Sequence, residues 1–483
     1  MKWQLFINTK LNLEDKSLKV ISDQTGVLSS KAFLSYLDEN SINYLVTDKV
    51  AEVLTATRNS SVSVIITNLK TIPAFITIKF ITVHFNYADI PMNGDIESIL
   101  KGVNSEAIIE LLNYVYDSDY HQVITRFNIE SLFVQAKKHI ISAEINSLIE
   151  SLNTLLQTTP QIENVLNLGA LWGRLVYLSA THEDARYECY IDQVDTFAFS
   201  FILDEGMQKA SFASTEKNPK SVDKILANIK SNNMEKTALI CFDCMGFAEW
   251  YLLQEFLSES CLTFIDSALF TLLPSITSIS RSAIFNGSRD VYNIKSPGRS
   301  NEAKAFADYF HDKETKYFTE QDAITEDSLL GYDCISILYT FFDNLSHSAQ
   351  FPPNESSKTL YFDSIRAYLK KSTVLLTLQS LLKNDFAVYI CSDHGSVIAT
   401  GNGQKLDKYL VDSFAKRAII IPLESTDLIE QTKIKIPFIE NRLIALPEGR
   451  SMFANKNQIE INHGGITVEE MVVPFIKIIN NGI

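Results

Sequence analysis

The stretch from Phe386 to Ser396, Phe-Ala-Val-Tyr-Ile-Cys-Ser-Asp-His-Gly-Ser, decides the fold of this chain. Its β-branched and aromatic residues predict a buried strand, which ends in a tight turn at Asp393-His394-Gly395. In open α/β sheets, ligands bind just beyond the carboxyl ends of the strands. Asp393 and His394 are therefore candidate metal ligands held on a rigid support.

The composition is that of an ordinary globular protein. The chain has 483 residues, which predicts two or three domains, with 46% hydrophobic and 21% charged residues. A net charge of -15 argues against a broad surface for non-specific DNA binding, although metal ions could still hold one phosphate in a pocket. Apolar runs of membrane-spanning length and a signal-peptide core are both missing, which predicts a cytoplasmic protein without a membrane partner.

The six cysteines do not suggest a disulfide framework. Cys241 and Cys244 have C-x-x-C spacing, which is typical of redox centres and of half a zinc site. Because no second such pair follows and Asp243 lies between them, we favour two incidental cysteines near the end of a strand.

The first 95 residues alternate between strand and helix patterns, which predicts a small parallel α/β domain, receiver-like or Rossmann-like. The predicted strands cover 18–22, 42–46, 62–66 and 80–83, and the predicted helices cover 31–37 and 49–57. Asp23 could mimic the phospho-acceptor of such a domain, although a surface turn is the favoured interpretation. Residues 96–232 are predicted to be mainly helical and residues 233–483 to form the last domain.

The last domain repeats the pattern of a strand followed by a polar residue. A strand over 237–242 ends in Asp243, and Gly246 allows a turn into a helix over 247–257. Asp243 could hold a cation there or simply cap the helix. Farther along, Pro274 and a run of hydroxyl residues predict a helix with Thr277 in its first turn.

Thr277 could act as a nucleophile, because backbone N–H groups at a helix start favour an anion and a metal lowers the pKa of a hydroxyl. Arg281, one turn later, could reach a phosphate oxygen. The alternative for this segment is an N-capped surface helix.

Two more segments supply metal-binding side chains. An apolar run over 333–342 ends in Asp343, and His347 follows four residues later, as expected for two ligands at a strand end. His463 lies in the glycine-rich turn His463-Gly464-Gly465. Together with Asp243, Asp393 and His394 they make six N/O ligands, a set that suits a two-metal centre for phosphoryl displacement.

The motifs Phe-Asp-x-Met-Gly, Pro-Ser-x-Thr, Asp-x-x-x-His, Ser-Asp-His-Gly and His-Gly-Gly-x-x-x-Glu-Glu, in this order over residues 236–478, resemble the PglZ domain. That resemblance implies an alkaline-phosphatase-like, doubly wound α/β sheet with two divalent ions, zinc or manganese. It places Asp243, Thr277, Asp393 and His394 around one ion and Asp343, His347 and His463 around the other. Thr277 would attack phosphorus and form a phosphothreonine.

PglZ proteins occur in BREX-type phage-defence systems, and a related domain occurs in PorX-like proteins. The resemblance therefore implies a phosphodiesterase or phosphatase acting on nucleotides or oligonucleotides, with other defence proteins as partners, and it allows a homodimer. The alternatives are a phosphomonoesterase or phosphomutase of the same superfamily and a structural subunit whose metals are not used in catalysis. A sulfatase is disfavoured, because Thr277 cannot become formylglycine.

Overall fold

The computed structural model describes residues 2–15, 17–58, 62–258, 262–293, 298–348, 357–404, 415–424, 431–437 and 439–479. It divides into two compact units, Met1–Asn146 and Ser147–Ile483. The division falls within the long helix α7 (Ile129–Leu156). The predicted three-part organisation, with boundaries near residues 95 and 232, stays a prediction.

The first unit is built on a parallel four-stranded sheet, in the order β2-β3-β1-β4. Its strands are Lys19–Asp23 (β1), Tyr44–Val46 (β2), Val64–Thr67 (β3) and Ile81–Phe85 (β4). Its helices before α7 are Trp3–Leu11 (α1), Lys31–Glu39 (α2), Val50–Ala56 (α3), Ala74–Thr77 (α4), Ile96–Leu100 (α5) and Ser105–Asp117 (α6). The predicted strands and their parallel arrangement are confirmed.

Asp23, at the end of β1, does not lie in a surface turn. Its carboxylate is buried and accepts hydrogen bonds from the backbone N–H groups of Thr25, Gly26 and Leu28, at 2.8–3.1 Å. The Thr25 hydroxyl donates to it as well, at 2.7 Å. Both carboxylate oxygens thus close the turn between β1 and α2, since a buried carboxylate is stable only when hydrogen bonds satisfy it.

The second unit contains the segments that carry the predicted site. Its helices are Ile162–His182 (α8), Ile191–Leu203 (α9), Gly206–Ala213 (α10), Ile225–Ser231 (α11), Phe247–Leu257 (α12), Thr277–Asn286 (α13), Arg299–Tyr309 (α14), Phe341–Ser348 (α15), Ser357–Leu369 (α16), Val374–Lys383 (α17) and Val468–Met471 (α18). Its strands are Thr237–Phe242 (β5), Thr263–Phe270 (β6), Thr315–Thr319 (β7), Cys334–Tyr339 (β8), Ala387–Ser392 (β9), Val397–Gly401 (β10), Ile419–Pro422 (β11), Thr432–Lys435 (β12), Arg442–Leu446 (β13), Ser451–Met452 (β14), Ile459–Asn462 (β15) and Val472–Ile479 (β16).

The main sheet of this unit has six strands in the order β6-β16-β9-β5-β8-β7. Strands β9, β5, β8 and β7 are parallel, and β16 runs antiparallel to both of its neighbours. The inner parallel strands β5, β8 and β9 are mainly apolar, as expected for strands that are covered on both faces. Their carboxyl ends meet at one edge, where the polar residues after β5 and β9 lie.

Helices cover both faces of this sheet. Leu239 and Cys241 of β5 belong to one apolar cluster with residues of α13 and α14. The ring of Phe242, which follows Cys241, packs edge-on against Phe341 and Phe342 of α15. Since successive strand residues point to opposite faces, the two sets of helices lie on opposite sides. The predicted doubly wound sheet is confirmed.

Two three-stranded sheets complete the unit, in the orders β14-β10-β15 and β11-β13-β12. Strand β10 continues the chain just after His394 and Gly395, and it pairs antiparallel with β15, with Val397 opposite Asn462. This pairing brings the turn after β9 next to His463, the residue that follows β15. Among the described residues, no helix has the length and apolar character needed to cross a membrane.

Candidate metal centre

The first group of candidate ligands lies where β5 and β9 end. Phe242 and Ser392 are paired in the parallel register, so Asp243 and Asp393 emerge side by side. With His394 they form a fully buried set whose ligand atoms lie within 4.8 Å of one another. His394 Nε2 is 3.6 Å from Asp243 Oδ1 and 3.9 Å from Asp393 Oδ2.

The second group consists of Asp343, His347 and His463, whose ligand atoms also lie within 4.8 Å of one another. His347 Nε2 is 3.1 Å and His463 Nε2 is 3.7 Å from Asp343 Oδ1. The prediction that Asp343 and His347 lie at the end of a strand is wrong. Strand β8 ends at Tyr339, and both residues lie on α15, where the i,i+4 spacing puts them on one face.

The two groups adjoin each other. The imidazole rings of His394, from the first group, and His463, from the second, stack with their centroids 4.1 Å apart and an interplanar angle of 20°. The structure thus brings all six predicted ligand side chains into one site, drawn from β5, α15, β9 and the turn after β15.

Backbone carbonyls fix both stacked imidazoles. His394 Nδ1 lies 3.1 Å from the Gly395 carbonyl oxygen, and His463 Nδ1 lies 3.4 Å from that of Ser275. A ring that donates from Nδ1 has only a lone pair at Nε2, which can bind a cation but cannot donate to a carboxylate. In both residues, Nε2 is the atom that faces the carboxylates.

Several buried atoms of the site fit a cation better than they fit one another. Asp393 Oδ2 and His463 Nε2 are buried and make no hydrogen bond in the described part of the chain. Acceptors that face one another without a donor are unfavourable unless a cation lies between them. Carboxylate oxygens and imidazole nitrogens are ligands of zinc, and the same set accepts manganese.

The electrostatics of the site lead to the same conclusion. Burial, followed by the charge of Asp393, raises the pKa of Asp243 well above its usual value. Burial also raises the pKa of Asp393, to about 6. The pKa values of His394 and His463 are lowered, mainly by burial, so both rings are neutral at physiological pH. Buried carboxylates beside neutral imidazoles hold an excess of negative charge, which divalent ions would balance.

Thr277 is the first residue of α13, as predicted. Its Oγ1 lies 2.9 Å from His394 Nε2 and 3.4 Å from Asp243 Oδ1, so the hydroxyl borders the first group. Arg281, one turn later, donates from Nη1 to Asp243 at 2.6 Å and from Nε to Glu302 at 2.9 Å. The prediction that Arg281 reaches a phosphate oxygen stays a prediction.

Sequence reasoning missed the residues that support this site. Glu302 is a buried carboxylate of α14 that contacts Arg281. Glu470 accepts hydrogen bonds from the Gly465 N–H at 2.8 Å and from Arg417 Nε at 2.8 Å, and it thereby holds the turn after His463. The capping-box pattern Thr467-x-x-Glu470 was a usable signal for Glu470; Glu302 had none.

Cys241 and Cys244 are both buried, and neither belongs to the two groups of candidate ligands. Cys244 contributes through its backbone instead, because its N–H donates to Asp393 Oδ1 at 3.1 Å. The segment from Cys241 to Cys244 thus supports the first group through its backbone. The two sulfur atoms belong to neither group of candidate ligands.

Comparison with known proteins gives one family and a set of distantly similar structures, among them a murine and a human protein. No curated protein matches the chain. Murine ectonucleotide pyrophosphatase/phosphodiesterase 5, in an inactive form in complex with AMP, is 10% identical, with a TM-score of 0.33 over 50% of this chain and 88% of that one. The human protein is 13% identical, with a TM-score of 0.31 over 50% of this chain and 87% of that one.

The family comparison covers the whole region that carries the candidate ligands. The model of the BREX system PglZ alkaline phosphatase-like domain matches residues 222–478, more than half of the chain. These residues include β5, α13, α15, β9 and the turn at His463, the segments that build the site. The chain therefore belongs to the PglZ family, with an alkaline-phosphatase-like α/β domain.

Proposed function

We propose that this protein is a metal-dependent phosphohydrolase, and that it favours phosphodiesters of nucleotides or oligonucleotides. One observation carries the proposal: two groups of Asp and His side chains adjoin each other, and the first of them contacts the Thr277 hydroxyl at the start of a helix. A hydroxyl beside two cation sites is the arrangement that phosphoryl displacement requires.

In this proposal Asp243, Asp393 and His394, together with Thr277, would hold one divalent ion. Asp343, His347 and His463 would hold the other. When bound, Zn²⁺ or Mn²⁺ would lower the pKa of a coordinated hydroxyl and stabilise the attacking and leaving oxygens. The ligand set does not decide between the two metals, because both accept carboxylate and imidazole donors.

The chain's own residues position the nucleophile. Thr277 Oγ1 would form a bond to phosphorus while the bond from phosphorus to the leaving oxygen breaks. The hydroxyl lies within 3.4 Å of His394 Nε2 and Asp243 Oδ1; because these atoms would hold the ion, the hydroxyl proton would pass to water. The N–H groups at the start of α13 favour the negative charge of the phosphoryl oxygens. Water would then release the phosphoryl group and restore the hydroxyl.

The direct test is hydrolysis of bis-p-nitrophenyl phosphate and p-nitrophenyl phosphate by wild type and Thr277→Ala, with and without added Zn²⁺ or Mn²⁺. We expect faster turnover of the diester, dependence on metal, and loss of turnover in the variant. Equal metal content in the two proteins provides the control. Metal bound without turnover of either ester would favour a structural subunit, and transfer to an acceptor sugar would indicate a mutase.

The family assignment supports a role in BREX-type defence against phage, with other proteins of that system as partners. A cell carrying the full system should lose protection when Thr277 is replaced by Ala, because this change removes the hydroxyl and leaves the Asp and His ligands. Full protection by the variant would exclude a catalytic role for Thr277 in defence.

A further inference from the structure

Glu302 is a buried carboxylate that no step of the proposed reaction uses. It lies on α14, and its Oε1 accepts from Arg281 Nε at 2.9 Å. Its Oε2 accepts from the Tyr317 hydroxyl of β7 at 2.7 Å. Both oxygens are thus engaged, and the carboxylate is held in one orientation by two different elements.

Arg281 connects Glu302 to the candidate metal centre. Its Nη1 donates to Asp243 Oδ2 at 2.6 Å, and Asp243 Oδ1 faces Thr277 and His394. The guanidinium therefore occupies one oxygen of the carboxylate and leaves the other directed at the cation site. Glu302 holds Arg281 in this geometry, since the guanidinium spans the two acids through different nitrogens.

A fixed positive charge next to a metal ligand would normally oppose the binding of a cation. Here the pair of Arg281 and Glu302 is neutral, and a divalent ion would balance Asp243 and Asp393. Without the charge of Glu302, the guanidinium could turn both of its terminal nitrogens onto Asp243. It would then cover Oδ1 as well, because Arg binds carboxylates readily in a bidentate manner.

We infer that Glu302 is a positioning residue for the first metal: it holds Arg281 on Asp243 Oδ2, balances its charge and thereby keeps Oδ1 available to the cation. The inference rests on the proposed metal centre, and it gives Arg281 a role in metal affinity. It concerns binding of the ion, so it can be tested without any substrate.

The test compares Zn²⁺ binding to metal-stripped wild type, Glu302→Gln and the double variant Arg281→Gln with Glu302→Gln, in competition with a chromophoric chelator. Glu302→Gln keeps the shape of the side chain and removes its charge. We expect it to weaken one of two bound ions by about tenfold or more, the usual effect of losing a partner of a metal ligand. The double variant also removes the guanidinium that would cover Asp243 Oδ1, so it should bind Zn²⁺ more tightly than Glu302→Gln does.

Asp195→Asn is the matched control. Asp195 makes a two-pronged ion pair with Arg450, at 2.8 Å for both contacts, and neither contact involves a candidate metal ligand. This variant should bind Zn²⁺ as wild type does. Circular dichroism confirms that each variant is folded before its affinity is compared.

Two results would overturn the inference: folded Glu302→Gln that binds both ions as tightly as wild type, or a double variant that binds no better than Glu302→Gln. If Glu302→Gln does not fold, the double variant alone decides: it keeps all six candidate ligands and should still bind two ions, and loss of one ion would overturn the inference. Failure of the proposed hydrolase activity would appear separately, as absence of turnover by a protein that binds two ions normally.

Discussion

The rings of His394 and His463 stack at 4.1 Å, although the two residues are 69 positions apart in the chain and each belongs to a different group of candidate ligands. The antiparallel pairing of β10 with β15 produces this contact. His394 precedes β10 and His463 follows β15, so both histidines lie at the same end of this strand pair. The pairing of these two strands therefore makes the two groups of candidate ligands neighbours. We expect a substitution in one group to leave the side chains of the other group in place.

The two groups should bind metal separately. Asp393→Asn removes a charged ligand from the first group, and Asp343→Asn does the same in the second. Each variant should lose one equivalent of Zn²⁺ after reconstitution, measured by elemental analysis of the desalted protein. Asp363→Asn, on an exposed carboxylate paired with Arg366, should keep two equivalents. Loss of both ions from either site variant would mean that the groups form a single site.

Asp393→Asn should raise the free energy of unfolding of the metal-free protein and lower that of the metal-loaded protein. Because the pKa of Asp393 rises from 3.8 to about 6 in the folded protein, its ionised form destabilises the metal-free fold above about pH 6. Asn removes this penalty and should stabilise the metal-free protein by about 2–3 kcal/mol near neutral pH. The gain should shrink as the pH falls from about 6 and should vanish below about pH 3, where the carboxyl is protonated in both states.

With Zn²⁺ present, the same variant should be less stable than wild type, because it loses the stabilisation that a bound ligand confers on the folded state. Urea unfolding at several pH values, with and without Zn²⁺, measures both effects. If Asp393→Asn is more stable than wild type both with and without Zn²⁺, Asp393 is not a metal ligand.

Gly395 should not tolerate a side chain. A Cβ at this position would lie 2.1 Å from the carbonyl oxygen of Glu469, a backbone atom that cannot rotate away. Gly395→Ala should reduce the free energy of unfolding by about 2–4 kcal/mol and should also weaken Zn²⁺ binding, since His394 is its neighbour. Gly298→Ala is the control, because no atom of the described residues lies within 4 Å of its added Cβ and its φ of 165° is extended. Equal stabilities of the two variants would contradict this packing argument.

The buried ion pair of Arg417 and Glu470 should be important for stability. Their side chains are 3% and 0% exposed, and Glu470 also accepts from the Gly465 and Thr467 N–H groups. Glu470→Ala leaves the Arg417 charge buried without its partner, which typically reduces the free energy of unfolding by about 3–5 kcal/mol. Glu326→Ala, which breaks an exposed pair with Lys383, should change it by less than about 1 kcal/mol. Thermal and urea unfolding would show the contrast.

The sequence predicts the main sheet and the ligand set because both depend on local signals. Buried strands appear as apolar runs, and the polar residues that follow them meet at one edge of a parallel sheet. The predicted strand runs on to Phe342, whereas β8 ends at Tyr339, because the prediction depends on the same local signal. Phe341 and Phe342 continue the apolar run in the sequence, but they already belong to α15, and their rings pack against Phe242.

The supporting residues could not be predicted in the same way. Arg281 and Glu302 are 21 positions apart, and Arg417 and Glu470 are 53 positions apart, so each pair exists only in the folded chain. A charged residue in a helix is usually exposed, and nothing near Glu302 marks it as buried. Asp23 was misjudged for a related reason, because hydrogen bonds from its own turn allow a carboxylate to be buried.

The most direct test of the central claim is to quench the metal-loaded protein in acid during turnover of a phosphate ester and to analyse its peptides by mass spectrometry. The account predicts a phosphoryl adduct on Thr277, present in wild type and absent from Thr277→Ala. Steady turnover with Thr277 unmodified, and with comparable rates in Thr277→Ala, would show that another group attacks phosphorus.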